Sequence, residues 1–338
     1  MTPMKPAALA ALMLACACAQ AADGPVINLY SSRHYHTDPA LYENFTKQTG
    51  IAVNRIEAGE NEVVERIRNE GPSSPADVLV TVDLVRLARA NAEGLLAPVQ
   101  SAVLNERIPA HLRTNDWFAF SVRTRVIVHN KSVKAEWVQN YEDLSHPRLK
   151  GKLCVRNGGH PYNISLGASM IEHNGERKTE QWAKGVVANM ARPPKGGDLD
   201  QVRGVAGGEC GVALTNSYYL GRLLRSEKPE DRKLMENIEI VFPNQKNYGT
   251  HVNVSGAGVL KNAPNRENAI KFLEYLASDE AQVYFADGNN EWPAVPTAKS
   301  ANPGLAKLGS YKGDKTPLGR IAKHLDAVPA IYEAAGWK

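Results

Sequence analysis

Alternation constrains this chain most. Over its first hundred residues, short β-branched apolar runs alternate with segments of helical spacing. Val26–Tyr30, Ile51–Ile56 and Asp77–Val82 read as strands. Thr37 or Asp38, followed by Pro39, opens a helix carrying Leu41, Tyr42 and Phe45, which stops at Thr49-Gly50. Asn61–Asn69 places Val63, Val64 and Ile67 on one side, and Leu84–Ala92 runs as a helix to Gly94. The order β-α-β-α-β-α predicts a parallel sheet covered by helices.

A second α/β set follows a long strand-like stretch, Trp117–His129, which is long enough to cross between domains. The pattern predicts a strand at Leu153–Arg156 and helices at Tyr162–His173, Thr179–Met190 and Asp198–Ala206. Strands are expected at Cys210–Leu214 and Ile238–Phe242, with Thr250–Val254 as a return crossing. Helices are expected at Arg266–Ala277 and through the tail from Pro317. A chain of 338 residues favours two domains over one. Two α/β lobes joined by two crossings enclose a cleft, and domain interfaces and strand carboxyl ends are preferred ligand sites. The expected boundaries are 22–121 with about 251–300 for the first lobe, and 122–250 with about 301–338 for the second.

The N-terminus reads as a secretory signal over residues 1–21. Lys5 supplies the positive charge, Ala7–Ala19 the apolar segment, and Ala19-Gln20-Ala21 the cleavage site. That apolar run is too short to span a bilayer. It continues past Cys16, and Met13 is a poor start for a lipid-attachment motif, so a lipid anchor is the lesser alternative. Cys154 and Cys210 remain after cleavage. An oxidising compartment and an even count favour a disulfide between them over a metal site, since neither has a Cys or His at ligand spacing. The formal net charge of +4 is too small to point to nucleic acid or an anionic membrane. There is no G-x-S-x-G, H-E-x-x-H, P-loop or G-x-G-x-x-G, so an enzyme is disfavoured.

Three polar loops, each at the carboxyl end of an expected strand, carry tyrosine. They hold His34-Tyr35, then Tyr162 within His160-Pro161-Tyr162-Asn163, then Tyr218-Tyr219 within Thr215–Arg222. Taken alone, the last pair would be one packed and one exposed phenol, because neighbours in a helical turn point about 100° apart. Taken together, the loops offer a cleft of four phenols and an imidazole. Phenolate is a hard anionic donor that suits a hard trivalent cation such as Fe3+. Free tyrosine titrates near pH ~10, so the metal must displace protons. Four phenolates and Fe3+ sum to −1, and Arg33, Arg123 and Arg125 are the cations at hand; strand alternation puts Arg123 and Arg125 on one face. Tyrosines in such loops also build cages for sugars or organic cations, and His36 and His160 read as surface or supporting residues.

At Leu29–Tyr35, His160–Asn163 and Asn216–Arg222, the chain resembles the periplasmic ferric-iron-binding proteins of ABC transporters, the FbpA/FutA type. The resemblance spans essentially the whole mature chain. It implies a type II periplasmic binding protein fold with a two-stranded hinge. It also implies that Tyr35, Tyr162, Tyr218 and Tyr219 hold the ferric ion, with His34 as the most variable ligand. Carbonate or another anion completes the shell in some members, and Arg123, with Arg125 as alternative, resembles the arginine supporting that anion or the phenolates. The expected partner is an inner-membrane ABC permease, met by a monomer. The competing expectation is a type II binding protein for a polyamine or phosphonate, without metal.

Overall fold

The computed structural model describes residues 24–33, 35 and 37–338. The segment expected to be a secretory signal, His34 and His36 lie outside the described residues. Strands are β1 (Val26–Ser31), β2 (Ala52–Glu57), β3 (Val78–Thr81), β4 (Phe118–His129), β5 (Leu153–Cys154), β6 (Val212–Asn216), β7 (Glu239–Val241), β8 (Val252–Val259) and β9 (Trp292–Pro293). Helices of the first half are α1 (Asp38–Thr49), α2 (Glu60–Glu70), α3 (Leu84–Ala92), α4 (Ala102–Arg107), α5 (Pro161–Asn174), α6 (Glu176–Ala188) and α7 (Asp198–Ala206). Then come α8 (Ser217–Arg225), α9 (Pro229–Glu236), α10 (Arg266–Leu276), α11 (Asp279–Asn289), α12 (Pro303–Leu308), α13 (Leu318–Ile321) and α14 (Val328–Ala335).

The strands join in the order β2-β1-β3-β8-β4-β6-β5, with β7 and β9 also on β4. The expected parallel set is present: β1 lies between β2 and β3, parallel to both. The sheet then turns antiparallel at β8. Strand β4 links the two lobes. Its first half, Phe118–Thr124, pairs with β8, whereas Arg125–His129 pairs with β6. One lobe packs Leu29, Phe45, Leu79 and Phe272, the other Val128, Cys154, Val202 and Leu220. The two crossing strands thus form a hinge between two α/β lobes.

Local chemistry explains most element ends. Pro39 sits in the first turn of α1, and Gly50, with φ 73°, closes it. Asp83 caps α3 by accepting from the Val85 amide at 2.7 Å, while its other oxygen accepts from Asn253 of β8 at 2.8 Å. Cys154 and Cys210 form a disulfide, with Cα atoms 5.8 Å apart, at the start of the parallel β5–β6 pair.

Differences from the expectations have tertiary causes. The strand after Cys210 begins two residues later and runs on through Thr215 and Asn216, because Arg125 and Val126 of β4 pair with Asn216 and Thr215. The return crossing is longer than expected, extending to Val259. Its Gly256 lies where a Cβ would come within 2.8 Å of the Phe118 carbonyl, so its lack of a side chain permits the close strand approach. Strand β5 ends at Cys154 rather than Arg156. The tail from Pro317 is not one helix: a 3-10 turn, Ala322–Ala327, separates α13 from α14. Helices α4, α9, α11 and α12 had no expected counterpart.

There is also a third passage between lobes. Helix α11 packs on α1 and α10 of the first lobe, β9 then pairs with β4, and α12 packs on α8 of the second lobe.

Candidate metal centre

Three loops bring four tyrosines to one cavity of about 390 Å³, which Arg222 and Asn289 also line. Each tyrosine is placed by buried polar groups nearby.

Tyr35 follows β1. Asp38, at the start of α1, accepts from the Tyr35 amide at 3.2 Å and from Arg33 Nη2 at 3.0 Å. The Arg33 guanidinium stands 4.4 Å from the centre of the Tyr35 ring.

Tyr162 lies in the first turn of α5. His160 caps this helix, its Nδ1 accepting from the Tyr162 amide at 3.2 Å. Asn163 is buried, donates to the Arg156 and Asn157 carbonyls, and accepts from Arg125 Nη2 at 3.0 Å. Arg123 and Arg125 each lie 5.9 Å from the Tyr162 ring, and Arg156 lies 5.2 Å away. The shared face expected for Arg123 and Arg125 is therefore present.

Tyr218 and Tyr219 open α8. Ser217, ahead of them, accepts from the Thr124 amide of β4 at 3.0 Å, tying this helix to the hinge. Asp198 accepts from the Asn216 amide at 2.7 Å, from Arg156 at 3.2 Å, and from Arg125. Tyr218 is 9% exposed and Tyr219 is half-buried. The pair does not divide into one core ring and one surface ring: both line the cavity, with ring centres 4.2 Å apart. The Tyr218 and Tyr162 hydroxyls are 3.0 Å apart. Arg222, one turn on, sits 5.7 Å from the Tyr219 ring.

The surroundings are charged but balanced. Arg33, Arg123, Arg125 and Arg156 face Asp38, Asp83, Asp198 and Glu291. Buried charges persist only when paired and hydrogen-bonded in this way. The sequence marks Asp38 only as a candidate helix cap, and it gives Asp198, Glu291, Arg156 and Arg222 no role at the site. A lone acidic or basic residue carries no signal of its eventual burial.

These environments hold the Tyr35, Tyr162 and Tyr218 phenols neutral. Burial raises Tyr35, with Glu291 adding to the rise and Arg33 and Arg123 opposing it. Burial raises Tyr162 to about 12, against the pull of Arg123 and the Tyr218 hydrogen bond. Tyr218 is raised well above its ordinary value by burial and then by Tyr162 and Tyr219. Burial, then Arg156 and Arg125, push His160 down to about 3, so it is a neutral acceptor. Among the described residues, no group of three His, Cys, Asp or Glu side chains is arranged to hold a metal. The oxygen donors of the cavity that suit a hard cation are phenols.

Two hinged α/β lobes around a cleft lined by polar side chains are the architecture of a protein that closes on a bound solute. The chain belongs to the family described as "Bacterial extracellular solute-binding protein", whose profile matches residues 73–310. It is 47% identical to iron uptake protein A1 of Synechocystis over 333 residues, covering 95% of this chain and 92% of that protein. The fold matches a Trichodesmium FutA (IdiA) structure in complex with iron and citrate ligands, with TM-score 0.89 and 50% identity over 93% of this chain and all of that one. It also matches apo FutA2 from Synechocystis PCC6803, with TM-score 0.88 and 47% identity over 93% of this chain and 99% of that one. The fold is thus that of the type II periplasmic binding proteins.

Proposed function

We propose that this protein captures Fe3+ in the interlobe cleft and delivers it to an inner-membrane ABC permease. Tyr35, Tyr162, Tyr218 and Tyr219 are the ligands as phenolates, and His34 adds an imidazole. Arg123 and Arg125 offset the anionic shell from behind the Tyr162 ring. Carbonate or an organic carboxylate completes the coordination. The lobes divide as 22–121 with about 251–300, and 122–250 with about 301–338. Residues 1–21 direct export to the periplasm, where the mature chain works as a monomer.

The observation carrying this proposal is the convergence of four phenols from three separate loops on one cavity. Phenols so deeply protonated are poor anions by themselves, and a trivalent cation is what converts them to ligands. Tyr162, Tyr218 and Tyr219 all belong to the second lobe and bind first. Closure then brings Tyr35 from the first lobe, which makes capture and closure one event.

A visible absorption spectrum of the mature protein, recorded before and after adding a ferric chelate, tests the proposal. A new tyrosinate-to-iron charge-transfer band is expected, lost or shifted in Tyr219→Phe. A folded protein that shows no band would overturn it and leave the cleft to a metal-free organic or anionic solute.

A further inference from the structure

The third passage between lobes runs beside the tyrosine cavity. Asn290, with φ 56°, adopts the left-handed conformation after α11 and lets the chain turn, so that Glu291 points inward. The Glu291 side chain is fully buried, at 0% exposure. Its carboxylate accepts from Arg123 Nη1 at 3.3 Å, from Asn289 Nδ2 at 2.8 Å, from the Ser255 hydroxyl at 3.4 Å and from the Ser121 hydroxyl. Arg33 Nη1 lies 3.9 Å away. Ser121 belongs to β4 and Ser255 to β8. One carboxylate therefore joins both hinge strands, the third passage, and two arginines. Those arginines stand against Tyr35 and Tyr162, one tyrosine from each lobe.

We propose that Glu291 is a positioning residue of the cleft: it clamps Arg33 and Arg123 so that their guanidinium groups stay against the Tyr35 and Tyr162 rings when the lobes meet. This inference rests on the ferric function proposed above. The charge of Glu291 itself works the other way. Four phenolates and Fe3+ already sum to −1, so a further nearby anion weakens metal binding through space. Glu291 favours binding only because holding two cations in place outweighs that repulsion.

The opposition of signs supplies the test. Glu291→Gln keeps the shape and removes the charge. Glu291→Asp keeps the charge and withdraws it by about 1.5 Å, one carbon–carbon bond. The unaltered mature chain and both variants are titrated with Fe3+ against a competing chelator, with the charge-transfer band and thermal unfolding recorded. Both variants should bind Fe3+ at least about tenfold more weakly, the equivalent of 1.4 kcal/mol, and both should shift the band. Tighter binding by Glu291→Gln with unchanged binding by Glu291→Asp would overturn the clamp in favour of through-space charge alone. Lower melting temperatures with an unmoved band and unchanged affinity would reduce Glu291 to a structural residue. If Glu291→Gln does not fold, Glu291→Asp decides, since a positioning role predicts its loss of affinity and a charge role does not. Failure of the ferric function itself reads differently: the unaltered protein then shows no band, and the clamp falls with it.

Discussion

The buried tyrosines at this cleft keep their protons until something displaces them. Desolvation raises Tyr35, Tyr162 and Tyr218, and the arginines behind them only partly offset it. The same buried charges also make single residues costly to change. Asp198 is 1% exposed and holds Arg125, Arg156 and the Asn216 amide together. Asp198→Asn leaves two guanidinium groups without their shared anion, and removing one partner of a buried pair costs about 3–5 kcal/mol. Urea unfolding should show that loss as a lower midpoint with an unchanged slope; a shift under 1 kcal/mol would mean that solvent reaches the pair. The tyrosines were legible in the sequence because each sits in a polar loop just after an apolar run. Asp198 and Glu291 were not, because the partners that give them meaning are far away in sequence: Arg125 is 73 residues from Asp198, and Ser121 is 170 from Glu291.

Among elements, the pieces nearest the site depend most on their neighbours. Strand β6 would end at Leu214 on its own pattern, yet pairing with β4 carries it to Asn216 and delivers Tyr218 and Tyr219 to the cavity. The disulfide at its foot closes a loop with a sequence separation of 56. Loop-closure entropy assigns such a crosslink about 4 kcal/mol. Replacing Cys154 and Cys210 together by serine should lower the unfolding free energy by about 2–4 kcal/mol, while the ferric absorption band keeps its position. A displaced band would show that the crosslink shapes the tyrosine loop as well as stabilising the lobe. Alternation of strand and helix was plain in the sequence at β1 to α3, where apolar periodicity is strong. Helices such as α9, which buries no residue, carry no such signal and went unseen.

At the scale of the whole molecule, the proposed function links metal capture, closure and proton release. Fe3+ binding to protonated phenols releases about one proton per ligand, so affinity must fall as pH falls. His160 adds to acid sensitivity: pushed down to about 3, it stays neutral in the fold while an unfolded chain takes up its proton near 6.5, so stability declines as pH drops between those values. Small-angle scattering should record a smaller radius of gyration with Fe3+ at neutral pH, and a return to the apo value on acidification before the protein unfolds. Unchanged dimensions on adding Fe3+ would remove closure from the mechanism, and iron retained at strongly acid pH would remove the phenolates. The sequence by itself determined the two α/β sets, the long crossing strand, the cysteine pair and the tyrosine-bearing loops, since all rest on periodicity and short-range chemistry. Only the tertiary structure decided which loops share a cavity, that both Tyr218 and Tyr219 enter it, and that a third passage runs beside it with a buried carboxylate. Those outcomes depend on strand pairing and buried charge between residues far apart in the chain, which no local pattern records.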